Sequence, residues 1–219
     1  IATDDGDSYY VTGPANVRHL HRLRALCDAV IVGAGTVARD DPRLTVRHVA
    51  GTDPVRVVLD PRRRLSPERR VFLADSAATL LIYGDERPAP ARHGAAEIMT
   101  VPCEGGRLRL DALLAALLAR GLRKIFVEGG GVTVSRFLET GLLDRLHVAI
   151  APLVTGRGRP GLTLQARTRI ADCLRPQHRV FTMGGDVLYD CDLRAPPIAE
   201  PRVDDALARV ISARRRPAI

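Results

Sequence analysis

The sequence predicts an α/β protein whose central sheet is mostly parallel, flanked by helices and finished by a C-terminal antiparallel hairpin. Three observations carry that prediction. Short β-branched runs alternate with helix-like stretches along most of the chain, the pattern of parallel strands covered on both faces. Two of those runs, Ala29–Val32 and Ile125–Val127, are followed closely by glycines, as happens where strands end at a ligand crevice. Arg179–Met183 and Val187–Leu193 flank a Gly184-Gly185-Asp186 turn, which is a hairpin signal.

Ile1–Tyr10 is polar and acidic, with the Asp-Asp-Gly chemistry of an exposed loop. Thr12 or Gly13 caps a helix that Pro14 opens and that runs to about Leu26. Val17, Leu20, Leu23 and Leu26 recur at three-residue steps and form its expected buried stripe, with Arg24 beside them. His19 and His21 lie two apart on that helix and so point in different directions, which is not a metal-ligand spacing. After the strand Ala29–Val32, Gly33, Gly35 and Thr36 form a turn or early helix, and Asp40-Asp41-Pro42 stops it. On spacing alone the Asp pair reads as a cap and turn ahead of a cofactor contact.

Val55–Asp60 is a third strand, followed by the cationic turn Pro61-Arg62-Arg63-Arg64. That turn is a solvated loop or a holder for the 2′-phosphate that separates NADP from NAD. Leu80–Tyr83 and Glu97–Val101 are further strands, and Asp111 caps a leucine-rich helix. In Lys124–Arg136 a short apolar run ends in Glu128, three glycines follow, and a helix of about Val132–Thr140 begins. Such a join cradles phosphate with backbone amides. It is also a plain strand-to-helix turn, since the spacing is neither GxGxxG nor a Walker loop. Leu146–Ala151 is a strand, the domain ends near Arg194, and residues 195–219 read as a linker and tail with an amphipathic start at Val203–Ala213.

Composition narrows the function classes. No apolar run among the 219 residues approaches the roughly 20 a membrane helix needs, so a soluble domain without a membrane partner is expected. The 33 Lys and Arg against 25 Asp and Glu give a net charge of +8, nearly all of it from arginine, the better bidentate phosphate ligand. Acidic small molecules, nucleic acid or a solubilising surface all fit that charge. Trp is absent and Phe and Tyr number four each, which argues against a stacking platform for nucleic acid. Cys27, Cys103, Cys173 and Cys191 are scattered without a CxxC pair, so no metal is expected and a reducing cytoplasm is the natural setting. No signal peptide is visible in a chain that opens on Ile1 rather than Met.

Taken together, GDSYYVTG, HRLRALCDAVIVGAGTVARDDPRLTVR, VVLD, KIFVEGGG and GLLDRLHVAIAPLVTGRG resemble the reductase domain of the riboflavin-biosynthesis deaminase/reductase family, over about Ile1 to Arg194. The resemblance implies a dihydrofolate-reductase-like fold, usually dimeric, that uses NADPH and needs no metal. The implied reaction turns the ribosyl group of a ribosylamino-pyrimidine 5′-phosphate into a ribityl group, by hydride delivery to C1′ of the ring-opened imine. Ser8, Arg24, Leu44 and Arg47 match substrate-binding positions, with the arginines as a phosphate clamp. Glu128 matches the acidic residue at the substrate, a hydrogen-bond acceptor for pyrimidine amino groups or an aid to protonation. Tyr10, Thr36 and Asp40 match cofactor-binding positions, as do Gly130, Gly131, Val132, Thr133, Val134, Ser135 and Arg136. Pro61 and Arg62 of the cationic turn join them as cofactor candidates.

Two departures from the family pattern stand out. The opening strand, with a lysine before an SLDG motif leading into Ile1, is absent, and so is the zinc deaminase half with its HxE and PCxxC signatures. The tail Val203–Ile219 faintly resembles the opening of a dihydroxybutanone-phosphate synthase; a flexible basic tail is the plainer reading. Three other readings stay open: the same fold acting on dihydrofolate or a specialised metabolite, a degenerate NADP-binding domain of a fusion protein, and a nucleic-acid module that rests on charge alone.

Overall fold

The computed structural model describes residues 2–7, 11–86, 90 and 92–196. Ser8, Tyr10 and the tail from Val203 lie outside the described residues. In chain order the elements are β1 (Ala2–Thr3), α1 (Pro14–Leu26), β2 (Ala29–Gly33), α2 (Ala34–Asp40), β3 (Val55–Leu59), β4 (Thr79–Gly84), β5 (Glu97–Val101), β6 (Cys103–Glu104) and β7 (Arg107–Leu108). They continue with α3 (Leu110–Ala119), β8 (Ile125–Val127), α4 (Gly131–Glu139), β9 (Arg145–Ile150), β10 (Gly158–Arg159), β11 (Gln177–Met183) and β12 (Asp186–Asp192).

Five strands lie in the order β5-β4-β3-β2-β8, and every pairing is parallel. Side chains alternate across this sheet with period two, and helices or loops cover both faces, so its central strands are mostly apolar; Arg56 of β3 is buried among them with its guanidinium bonded to Thr79 Oγ1, Asp75 and Ala77 O. Ala29, Ile31, Val57, Leu59, Leu80 and Ile82 pack on one face with Leu113 and Leu117 of α3 and Phe137 of α4. Val30, Val32, Val58 and Leu81 pack on the other with Val37 of α2, Leu44, Val71 and Phe72. A second sheet, β11-β12-β9, is antiparallel throughout. Met183 pairs with Asp186, which leaves Gly184-Gly185 as the two-residue loop, with Gly184 at φ 72°. The expected hairpin is therefore present.

Three expectations need correction. The buried face of α1 is Asn16, His21 and Arg24, while Leu26 is 67% exposed. Polar residues take that face because their partners are there: Asn16 Nδ2 donates to Thr12 Oγ1 at 3.0 Å, and Arg24 meets a carboxylate. Arg109, not Asp111, is the N-cap of α3; Asp111 sits inside the first turn, where it pairs with Arg109 and complements the helix dipole. Within the opening segment, expected to be a loop, Ala2 and Thr3 form a short strand with Arg159 and Gly158. Composition could not show that pairing, because the partner lies more than 150 residues away.

A groove of about 650 Å³ separates β8 from β9. Among the described residues no helix is long and apolar enough to cross a membrane.

Candidate active site

The candidate residues gather at the C-terminal ends of β2, β3 and β8, where open parallel sheets hold their ligands. Glu128 follows β8 directly. Its N–H donates to Ile31 O at 2.8 Å, so the strand pairing runs one residue past the strand and fixes the side chain's base. Arg24 reaches this carboxylate from α1 and is only 7% exposed. Its Nε donates to Glu128 Oε2 at 2.7 Å, one terminal nitrogen donates to Oε1, and the other donates to Thr45 O at 2.9 Å. A guanidinium held at three points, two of them on one carboxylate, is a rigid charge-assisted clamp.

The loop that carries Leu44 to Arg47 is held under strain. Asp41 and Leu44 have φ of 40° and 57°, in the left-handed region that L-residues avoid, and Leu44 is buried in the core. Arg47 anchors the loop's end: its N–H donates to His21 Nδ1 at 3.1 Å and its guanidinium donates to Thr45 Oγ1 at 3.1 Å. Partial burial, then the charges of Arg24 and Arg43, hold Arg47 below the usual guanidinium range. Cations crowded in this way favour an anion between them.

His21 is 2% exposed, and burial followed by Arg24 and Arg47 pushes its pKa down to about 4. It is neutral at pH 7, accepting at Nδ1. The unfolded chain therefore takes up this proton first on acidification. Stability from His21 is full above pH 6.5 and is lost as pH falls toward about 4. Denaturant titrations at pH 7 and pH 4.5 should show the native chain losing about 2 kcal/mol more than His21→Gln across that window. Equal losses would mean that His21 is not the titrating group.

A second cavity, of about 270 Å³, opens between α2, the turn after β3 and the start of α4. Gly129 and Gly130 both take φ 72° to make the turn, and a Cβ on Gly130 would lie 2.8 Å from Thr36 Oγ1. Helix α4 opens on this cavity with no side-chain cap, so its first amides are donors without a side-chain acceptor. Arg39, Arg64 and Arg136 add three guanidinium groups to the walls. Burial, then Arg107, holds Arg136 below its usual range, and its terminal nitrogen donates to Leu108 O at 2.8 Å.

Residues 1–183 match the family model described as the RibD C-terminal domain. The chain belongs to that family. It is similar to the 2,5-diamino-6-ribosylamino-4(3H)-pyrimidinone 5′-phosphate reductase of Methanothermobacter thermautotrophicus, at 37% identity over 199 residues, covering 87% of this chain and 90% of that one. It is also similar to the riboflavin biosynthesis protein RibD of Aquifex aeolicus, at 33% identity, covering 72% of this chain and 44% of that one. Among solved structures it resembles the deaminase/reductase of Thermotoga maritima, with a TM-score of 0.73 and 27% identity, over 88% of this chain and 52% of that one. The yeast riboflavin biosynthesis reductase Rib7 shares the fold, with a TM-score of 0.67 at 19% identity over 82% of this chain and 81% of that one. The dihydrofolate-reductase-like fold is thus borne out. The chain spans under half the length of the RibD relative from Aquifex and about half that of the Thermotoga protein.

Within this RibD-type fold, Arg24, Arg47 and Glu128 come together through Thr45, while the Leu44 side chain packs in the core. Thr36, Pro61, Gly130, Gly131, Val132, Thr133 and Arg136 line the smaller cavity. Asp40 and Arg62 are exposed and do not line it. Val134 borders the groove beside β8 instead, and buried Ser135 accepts the Thr163 N–H at 2.8 Å. Sequence reasoning missed His21, Thr45 and Arg39, and within the cationic turn it did not single out Arg64. For Arg64 the signal was the arginine turn itself, but only its geometry selects the residue. Asp60 Oδ2 accepts the N–H groups of Arg64 and Leu65 at 2.8 and 2.9 Å, and Arg63 stacks over Tyr83 at 4.8 Å.

Proposed function

We propose that this chain reduces the ribosyl group of a ribosylamino-pyrimidine 5′-phosphate to a ribityl group, with NADPH as reductant. The observation that carries the reading is the adjacency at Glu128: a clamped carboxylate stands directly before the glycine turn and uncapped helix that open the cationic cavity. The names of the relatives supply the substrate class. The cavity fits the phosphate-bearing part of a dinucleotide, since its glycines leave room, its helix start offers amides and its arginines offer charge. Gly130, Gly131 and Arg136 would hold those phosphates. When bound, NADPH supplies the hydride.

The chain's own residues do the rest. Arg47 holds the sugar phosphate, and Arg24 fixes Glu128 so that its remaining lone pairs accept hydrogen bonds from the pyrimidine amino groups. A cytoplasmic homodimer is part of the same reading.

The test is NADPH oxidation by the purified chain with the 2-amino and the 2-oxo pyrimidine phosphates, alongside dihydrofolate. Turnover is expected with one pyrimidine only. Arg47→Ala should raise its KM by about 30-fold or more, the loss of a charge-assisted phosphate contact. Turnover of dihydrofolate, or an Arg47→Ala variant with native KM, would overturn the assignment. A second reading, an NADP-binding domain without turnover, is favoured by the open groove that reaches Glu128; nucleotide binding with no reaction on either pyrimidine would support it.

A further inference from the structure

The loop from Asp41 to Arg47 is gripped from two sides. From one side come residues of α1: Arg24 donates to Thr45 O, and His21 accepts the Arg47 N–H. From the other come Asp53, just before β3, Arg56 within it and Arg70 after it. Arg70 donates its N–H and its Nε to the Asp41 carboxylate at 2.9 and 3.1 Å, and Arg56 donates to Arg43 O at 3.4 Å. Asp53 Oδ1 accepts the Val46 N–H at 2.6 Å. Of these three supports only Asp53 acts on the stretch beyond Leu44, whose buried side chain fixes the earlier part of the loop.

The contacts of Asp53 and Arg24 fall on a single peptide unit. The carbonyl of Thr45 and the N–H of Val46 belong to one planar group, held at 2.9 Å by Arg24 and at 2.6 Å by Asp53. A plane held at both ends cannot turn without losing both bonds. Arg24 is itself pinned on Glu128, so without Asp53 the carbonyl end stays and the N–H end, next to Arg47, is released. Asp53 is well placed for this grip. Pro54 restricts its backbone to extended conformations, and Ser76 Oγ donates to its other oxygen, Oδ2, at 2.5 Å. The loop between Val46 and Asp53 lies close on α1, since a Cβ on Gly51 would stand 2.5 Å from Ala25 Cβ.

We propose that Asp53 is a positioning residue for the substrate: by fixing the Thr45–Val46 peptide it aims Arg47 at the sugar phosphate. This role rests on the reaction proposed above and adds a residue to it. The guanidinium of Arg47 donates to Thr45 Oγ1 and its N–H to His21, so both of its attachments flank the plane that Asp53 holds. A binding group displaced by a fraction of its hydrogen-bond length loses much of its worth, even when the displacement begins at a residue that never meets the ligand. Asp53 does not line the smaller cavity, so its effect belongs to the substrate and not to the nucleotide.

Kinetics and amide exchange test this together. Asp53→Ala should raise the KM for the pyrimidine phosphate about tenfold, with kcat and NADPH affinity within about threefold of native. Asp53→Asn keeps an oxygen for the Val46 N–H and an amide donor for Ser76 Oγ, so its KM should stay within about threefold of native. In an Arg47→Ala background, Asp53→Ala should add less than about threefold to KM, because it acts through the residue already removed. Exchange of the Val46 and Arg47 amides should speed up at least about tenfold in Asp53→Ala and not in Asp53→Asn. A merely structural role would lower NADPH affinity in step with KM and add its full effect to Arg47→Ala, and either result would overturn the proposal. So would a native KM in Asp53→Ala, or an Asp53→Asn variant as impaired as the alanine. A native chain that reduced neither pyrimidine would remove the proposed reaction, whereas native exchange at Val46 in Asp53→Ala would remove the positioning role, so the two failures are read separately.

Discussion

Replacing Glu128 by glutamine should lower kcat/KM at least about a hundredfold and destabilise the chain by about 3 kcal/mol. Both effects follow from one contact. Arg24 is buried and spends its Nε and one terminal nitrogen on this carboxylate, so removing the charge leaves a desolvated guanidinium uncompensated. Destabilisation alone would mimic a catalytic role, and the double variant Arg24→Leu, Glu128→Leu separates the two. Two apolar side chains restore much of the stability that one unpaired charge removes, whereas activity stays lost. Urea denaturation and steady-state kinetics on the three variants measure this directly. A double variant that turned over at the native rate would remove Glu128 and Arg24 from the site.

Substituting Gly130 by alanine should weaken NADPH binding by about a hundredfold or more. The new Cβ would stand 2.8 Å from Thr36 Oγ1, and the backbone would have to hold φ 72° with a side chain attached. Relief moves the start of α4, and with it the amides proposed to face the phosphates. The strain costs on the order of 1–3 kcal/mol before any ligand contact is lost. Gly185→Ala is the control, since a Cβ there meets no atom within 4 Å and φ is ordinary. Isothermal titration with NADPH should separate the two variants; equal affinity would mean that the glycine turn is structural only.

Much of the fold was legible because it rests on local rules. The run at Ala29–Val32 is apolar at every step, and Val57–Leu59 likewise, which only a strand covered on both faces tolerates. The Gly184-Gly185 turn announces its hairpin, and Pro14 marks the first turn of α1. The stripe proposed for α1 failed for a physical reason. Helical periodicity ranks leucine above arginine as a core residue, yet Arg24 is buried because Glu128, 104 residues away, neutralises it.

The sequence by itself determined the alternation of strands and helices, the glycine turns and the family to which the chain belongs. Each of these is written in neighbouring residues, through periodicity, turn chemistry and short motifs. Only the tertiary structure decided that Arg24 clamps Glu128, that Arg64 rather than Arg62 lines the cavity, and that β8 and β9 face each other across a groove. Those outcomes depend on contacts between distant segments. The free energy of a buried charge or an open strand edge is set by what packs against it, and local sequence does not contain that partner.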